Sequence, residues 1–310
     1  MVETGESYYI SGEELRQWQK QAKIDAIAAE ISAIELDQFL EALTDLTHLD
    51  IRLDSFGDRP SIQLNQPWSA IVKLWERRIT ERVPLQYLLG VVHWRNFALK
   101  VSPAVLIPRP ETELIIDIAV SYHAASSEAI NSICQPGSGN WVDLGTGSGA
   151  IALGLASVFP QAMIHAVDCS WSALAIALEN AQSLGYQNRV KFYQGSWWAP
   201  LHSLKGKVSG MVANPPYIPS QELPNLQPEV VYHEPHQALD GGESGLDCIH
   251  HLVQTAPQFL QPGGIWIVEM MAGQGQAVTS MLESAGCYRD IKILPDLAGI
   301  DRFAIAYVQW

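Results

Sequence analysis

From residue 141 onward, strand-like runs and helix-like segments take turns. WVDLG, MIHAVD, VKFYQG, GMVANP, GIWIVEM, YRDIKIL and FAIAYVQ read as strands, and 149–158, 171–184, 245–260 and 273–285 as helices. Parallel neighbours need a long crossover, usually a helix, so this alternation confines the chain to a mostly parallel sheet covered on both faces. The expected fold is α/β and doubly wound. Ligands of such sheets sit beyond the carboxyl ends of the strands.

The first strand of the pattern runs into a glycine-rich turn, WVDLGTGSGAIAL (141–153). Gly145, Gly147 and Gly149 can adopt positive φ and let the backbone approach a ligand closely. The following strand ends at Asp168, about 20 residues on, where a carboxylate can accept from ribose hydroxyls. The spacing is G-x-G-x-G, not the G-x-G-x-x-G of dinucleotide enzymes. It favours S-adenosylmethionine, which has no pyrophosphate to cradle.

A second stretch, MVANPPYIP (211–219), turns stiffly at the end of a strand. Proline cannot donate to a ladder and biases the preceding residue away from helix, so the strand is expected to stop at Asn214. A carboxamide nitrogen is a poor nucleophile, because its lone pair is delocalised into the carbonyl. The Asn214 side-chain oxygen and the Pro215 carbonyl could each accept one of its N–H bonds and aim it at a methyl donor. Asn accepts without needing to ionise. The prolines would hold both acceptors still, which is preorganisation. The Tyr217 ring offers a face for a flat amide.

Upstream, residues 11–82 read as a small helical bundle. Ser11 and Glu14 have capping-box spacing. Leu15, Trp18, Ala22, Ile27, Ile31 and Ile34 suggest one apolar face, and 35–46 and 68–82 suggest further amphipathic helices. Residues 84–109 are β-branched and aromatic, as a linking hairpin would be. Pro110, followed by Glu111 and Glu113, suits a helix start. The expected organisation is a helical unit over 1–83, a hairpin over 84–109 and a catalytic unit over 110–310.

Among the 310 residues, 33 acidic residues oppose 19 basic ones, a net charge of -14. Phosphate contacts supply much of nucleic-acid affinity, so no direct nucleic-acid partner is expected. Cys134, Cys169, Cys248 and Cys287 are far apart, which argues against a zinc knuckle or a disulfide framework. The acidic start lacks a signal-peptide pattern, and no apolar run approaches the ~20 residues of a membrane span. A soluble cytoplasmic monomer without a membrane partner is expected. HEPH (233–236) offers two histidines but no third ligand nearby in sequence, so no metal is expected.

The motifs together carry a resemblance. DLGTGSG and NPPY, with PLQYLLG (84–90), RPETE (109–113) and HEPHQALDGG (233–242), resemble the release factor glutamine methyltransferases, strongly over roughly 80–308. The resemblance implies a seven-stranded sheet. It also implies methyl transfer from S-adenosylmethionine, with S-adenosylhomocysteine as product, to the glutamine amide of a Gly-Gly-Gln loop in peptide chain release factors. It assigns Gly145, Thr146, Gly147, Ser148 and Gly149 to the methionine end of the cofactor, Asp168 to the ribose and Trp197 to the adenine side. Asn214, Pro215, Pro216 and Tyr217 become the glutamine site, with Asn214, Pro215 and Tyr217 catalytic and Asn214 also beside the cofactor. Ser196 stands where the family often has Asp, so no polar contact to the adenine edge is implied there. Arg109 has two open roles, substrate contact or loop cap. The helical unit is expected to recognise the substrate protein. NPPY also serves methyltransferases of exocyclic amino groups in DNA or RNA. A non-catalytic cofactor-binding scaffold is a third reading, which the intact Asn214 and Tyr217 weigh against.

Overall fold

The computed structural model describes residues 7–129 and 138–309. Cys134 and the first six residues lie outside the described residues. The chain divides into two compact units, one made of Met1–Gly90 with Pro228–His233, the other of Val91–Gln227 with Glu234–Trp310.

The first unit contains β1 (Tyr8–Ile10), α1 (Gly12–Ala28), α2 (Ala33–Leu43), α3 (His48–Arg52), β2 (Ile62–Leu64), α4 (Trp68–Thr80) and α5 (Leu85–Leu89). The capping box at Ser11 and Glu14 is formed at the start of α1. Its buried face runs through Leu15, Gln19, Ala22 and Ala26. Ile27 and Ile34, expected on the apolar face, are exposed. Ile27 follows buried Ala26 and so turns off the inner face of α1, while Ile34 opens α2, whose inner face runs through Leu36, Phe39, Leu40 and Leu43. β1 and β2 pair antiparallel, which the helical reading of 11–82 did not foresee. Residues 85–89 are helical, so the expected hairpin is confined to a shorter stretch. Buried Arg78 donates to Glu35 at 2.7 and 3.0 Å and pairs with Glu229 at 2.9 Å, and Arg82 pairs with Glu229 at 2.7 Å. These bonds tie the segment Pro228–His233 into this unit.

The second unit opens with the hairpin β3 (Val91–Trp94) and β4 (Phe97–Lys100). A 3-10 turn over Glu111–Glu113 leads into α6 (Leu114–Ala129). Then follow β5 (Ser138–Leu144), α7 (Ala150–Val158), β6 (Gln161–Asp168), α8 (Trp171–Ser183), β7 (Val190–Gln194) and β8 (Val208–Ala213). After α9 (Pro228–His233), which packs with the first unit, come α10 (Asp247–Thr255), β9 (Leu260–Glu269), α11 (Gly275–Ala285), β10 (Tyr288–Pro295) and β11 (Asp301–Val308). Every strand read from the sequence is present. The helix expected over 245–260 stops at Thr255, because β9 claims the chain from Leu260.

The seven-stranded sheet has the order β10-β11-β9-β8-β5-β6-β7. Only β11 runs against the rest. Both faces are buried, and successive side chains divide between them: Ile265 and Ile267 enter one core, Trp266 and Val268 the other. The strand order reverses at β5, with β6 and β7 to one side and β8 and β9 to the other. The carboxyl ends of β5 and β8 therefore flank the switch point, where such sheets bind ligands.

Candidate active site

The glycine turn after β5 is held by backbone hydrogen bonds. Gly145, Gly147 and Gly149 have φ of 80°, 54° and 85°. The N–H groups of Gly145 and Thr146 both donate to the Val167 carbonyl at 2.9 Å, and Gly149 donates to the Thr146 carbonyl at 2.8 Å. An added Cβ on Gly147 would meet nothing within 4 Å, so that face of the turn is open to a ligand. Thr146 gives its hydroxyl to Asp143 at 2.6 Å, and Ser148 is buried, its carbonyl accepting from Asn180. The Thr146 side chain and the Ser148 carbonyl thus help hold the shape of the turn.

Asp168, at the end of β6, accepts from Gly147 N–H through Oδ2 and from Ser170 N–H through Oδ1, both at 2.9 Å. The half-buried carboxylate keeps lone pairs for further donors. Trp197 adopts φ 50°, rare for a bulky residue. The turned backbone lets Trp198 bury itself on Phe259, with ring centroids 4.5 Å apart, while Trp197 lies beside Gly145. Ser196 is exposed.

Asp143 lies beneath the turn, fully buried. Oδ2 accepts from Thr146 and from Ala152 N–H, and Oδ1 has no partner among the described residues. Burial, with the Asp168 charge nearby, pushes its pKa up to about 7 against the bonds from Thr146 and Ala152. A carboxyl oxygen without a partner under an open glycine turn fits a cofactor that brings positive charge, such as a sulfonium with an ammonium group, whose approach would favour the ionised form. The same burial has a stability consequence. The folded state holds a proton that the unfolded chain has already released, so this group's contribution to stability falls as pH rises from about 4 to 7 and is flat above. Asp143→Asn should melt progressively above the wild type across that window, by at most about 4 kcal/mol at 1.36 kcal/mol per pH unit. Melting curves from pH 5 to 8 check this; a constant difference would mean that Asp143 ionises normally.

At the carboxyl end of β8, Asn214 Nδ2 donates to Thr112 Oγ1 at 3.2 Å. Among the described residues neither Asn214 Oδ1 nor the Pro215 carbonyl has a donor. Thr112 Oγ1 donates to Glu269 Oε2 at 2.7 Å, and Tyr217 Oη donates to Glu269 Oε1 at 3.2 Å. Burial first, then the Glu269 charge, raises the Tyr217 pKa, so the phenol stays protonated. Burial pushes Glu269 up to about 7, against the Thr112 and Tyr217 bonds and the Arg302 charge. Gln274, buried, donates to the Tyr217 carbonyl at 3.0 Å and the Gly245 carbonyl at 3.2 Å. A Cβ on Gly241 would fall 2.8 Å from Tyr217 Cα, and one on Gly245 2.3 Å from its carbonyl oxygen. The loop carrying QALDGG is thus moulded against the NPPY backbone.

Arg109 donates to buried Glu234 at 2.6 Å, and its carbonyl accepts from Trp94 Nε1 at 3.0 Å. Of its two open roles, the structure shows the loop cap. In HEPH, His233 bonds the Glu81 carbonyl at 2.7 Å, within the first unit, while Glu234 belongs to the second. Among the described residues no three His, Cys, Asp or Glu side chains stand together as a metal site. Cys169, Cys248 and Cys287 are free. No helix among the described residues is long and apolar enough to cross a membrane.

Thr112, Glu269 and Gln274 were absent from the sequence-based site. Thr112 could have been found, since it is the T of RPETE. Glu269 carries no signal beyond being the last residue of a buried strand.

The model of the methyltransferase small domain family matches residues 124–243. A release factor glutamine methyltransferase of a Synechocystis species is 53% identical over 298 residues, 96% of this chain and 97% of that relative. One from Thermosynechococcus vestitus is 47% identical over 96% of this chain and 99% of its own. One from Gloeobacter violaceus is 42% identical over 94% and 96%. Among solved structures, the hMettl16 catalytic domain shares the fold, with a TM-score of 0.52 at 13% identity over 87% of this chain and 89% of that one. With the glycine turn, the NPPY turn and near full-length identity in agreement, the chain belongs to the release factor glutamine methyltransferase family.

Proposed function

We propose that this enzyme methylates the side-chain amide nitrogen of the glutamine in the Gly-Gly-Gln loop of peptide chain release factors, using S-adenosylmethionine, in the cytoplasm. The observation that carries the reading is the Asn214 amide: its NH₂ is engaged by Thr112, and its oxygen is left open at the switch point.

When bound, S-adenosylmethionine supplies an electrophilic methyl group and leaves as S-adenosylhomocysteine. The backbone of Gly145 to Gly149 would hold the methionine end, Asp168 would accept from the ribose hydroxyls, and Trp197 would cover the adenine side. Asn214 Oδ1 accepts one N–H of the target amide and the Pro215 carbonyl accepts the other. Two acceptors on one nitrogen pull its protons aside and favour a lone pair directed at the methyl group. Pro215 and Pro216 deny the turn its usual freedom, so the acceptors are in place before the substrate arrives. Tyr217, its hydroxyl tied inward, presents its ring to the flat amide. After transfer the methylated nitrogen would give one proton to water, so no strong base is required.

Residues 1–83 are proposed to recognise the release factor. Support comes from apolar side chains that this unit leaves exposed, Ile24 and Ile27 on α1 and Ile34 on α2. The test is incubation with methyl-labelled S-adenosylmethionine and intact release factor, a short Gly-Gly-Gln peptide or nucleic acid, followed by localisation of the label. Label is expected on the release factor glutamine; label on nucleic acid instead would overturn the reading. Ile24→Asp with Ile27→Asp should raise KM for the intact protein roughly tenfold and leave the peptide unaffected, as losing an interface anchor worth more than about 1 kcal/mol would. Equal effects on both substrates would refute the recognition role.

A further inference from the structure

We propose that Glu269 is a positioning residue: through the Thr112 hydroxyl it sets which end of the Asn214 amide faces the target nitrogen, and through the Tyr217 hydroxyl it fixes the ring. The inference rests on Asn214 Oδ1 being the acceptor for the glutamine amide and goes one step behind it.

Glu269 ends β9 directly beside the end of β8, where Ala213 pairs with Val268. It is 1% exposed. Its two oxygens are taken by hydroxyls, at 2.7 Å from Thr112 and 3.2 Å from Tyr217. Among the described residues it has no ion-pair partner. Arg302, whose charge it feels, is bound to Asp296 at 2.9 Å. A buried carboxylate without a paired cation is a destabilising choice at a strand end that an apolar or neutral side chain could fill. Residues that break a local rule in this way mark functional sites.

The return is hydrogen-bond polarity. Once ionised, above the pH of about 7 to which burial raises its pKa, the carboxylate only accepts, so both hydroxyls must then donate to it. Thr112 has one proton, and once that proton points at Glu269 its oxygen can only accept. Asn214 must then offer Thr112 its NH₂, and its carbonyl oxygen is left for the substrate. A neutral Gln at 269 both donates and accepts. Its NH₂ could donate to Thr112, whose proton would then turn to Asn214 Oδ1. The amide would flip, setting an N–H donor against the N–H donors of the substrate. One buried negative charge thus fixes the direction of a three-member chain whose far end touches the reacting group.

The test uses Glu269→Gln, Thr112→Val, their combination and Thr112→Ser in the full chain. Single-turnover transfer to release factor should slow on the order of 10- to 100-fold in Glu269→Gln and in Thr112→Val, the scale on which losing an outer partner of a positioned group acts. Cofactor affinity should not move. The double variant should be no slower than the worse single one, because both break the same chain. Thr112→Ser should recover most of the rate lost in Thr112→Val. Multiplying effects in the double variant, or no rescue by Ser, would overturn the relay, and the Val–Ser comparison decides alone if Glu269→Gln does not fold. A second readout needs no substrate. The Asn214 side-chain NH₂ resonance, identified by its loss in Asn214→Asp, should shift in Glu269→Gln. An unmoved resonance overturns the relay even if the wild type methylates nothing. A shifted resonance with a wild type inactive on release factor sustains the relay and overturns the substrate assignment instead.

Discussion

Asn214→Ala is expected to lose about 10²- to 10³-fold in turnover while melting as the wild type does. That is the usual cost of removing one preorganised electrostatic group aimed at a reacting centre. The structure narrows what is lost. Nδ2 is engaged by Thr112, so the atom removed from the cleft is Oδ1. Asn214→Asp separates acceptor from shape. A carboxylate can still accept the substrate N–H, but it cannot donate to Thr112 and brings a negative charge close to buried Glu269. It should fall between wild type and Ala. Single-turnover rates at saturating cofactor isolate the chemical step. If Ala and Asp were equally inactive, both folded and loaded, the acceptor role of Asn214 would be wrong.

Asp168→Asn should weaken cofactor binding by roughly 10- to 150-fold. Hydrogen bonds to a charged group are worth about 1.5–3 kcal/mol, and each 1.4 kcal/mol is tenfold in affinity. Two losses add here. The ribose hydroxyls meet a neutral acceptor, and one oxygen that served Gly147 or Ser170 becomes an NH₂ facing an N–H. Titration calorimetry reads the sum, and unchanged affinity would remove Asp168 from the site.

The inner strands of the sheet were legible because they are buried on both faces. Runs such as GIWIVEM and FAIAYVQ need no solvent side and so appear as continuous apolar letters. The two turns were legible for the opposite reason: glycine and proline are conformational requirements written into the residue itself. What stayed hidden had no such signature. β1 and β2 are three residues each, too short to show a period. Ile27 turns off the inner face of α1 beside Ala26, and Ile34 belongs to a second helix with its own phase. Segment 228–233 joins the first unit through ion pairs to Arg78 and Arg82, a long-range choice that no local pattern expresses. Glu269 was invisible because a Glu at a strand end ordinarily faces water; only the neighbouring Thr112 and Tyr217 make it interior.

The Glu269 bonds also differ from those of the cofactor cradle in how far along the chain they reach. The cofactor cradle closes over a short span, Gly147 to Asp168 being 21 residues apart. The amide site closes over 102 residues from Thr112 to Asn214 and 157 from Thr112 to Glu269. Ordering distant segments carries the loop-closure entropy that makes non-local contacts slow to form. A chain that ends before β9 lacks Glu269 and with it the anchor shared by Thr112 and Tyr217. The amide site is thus a long-range product of the finished sheet, whereas the bonds of the glycine turn to Val167 and Asp168 are made between neighbouring strands.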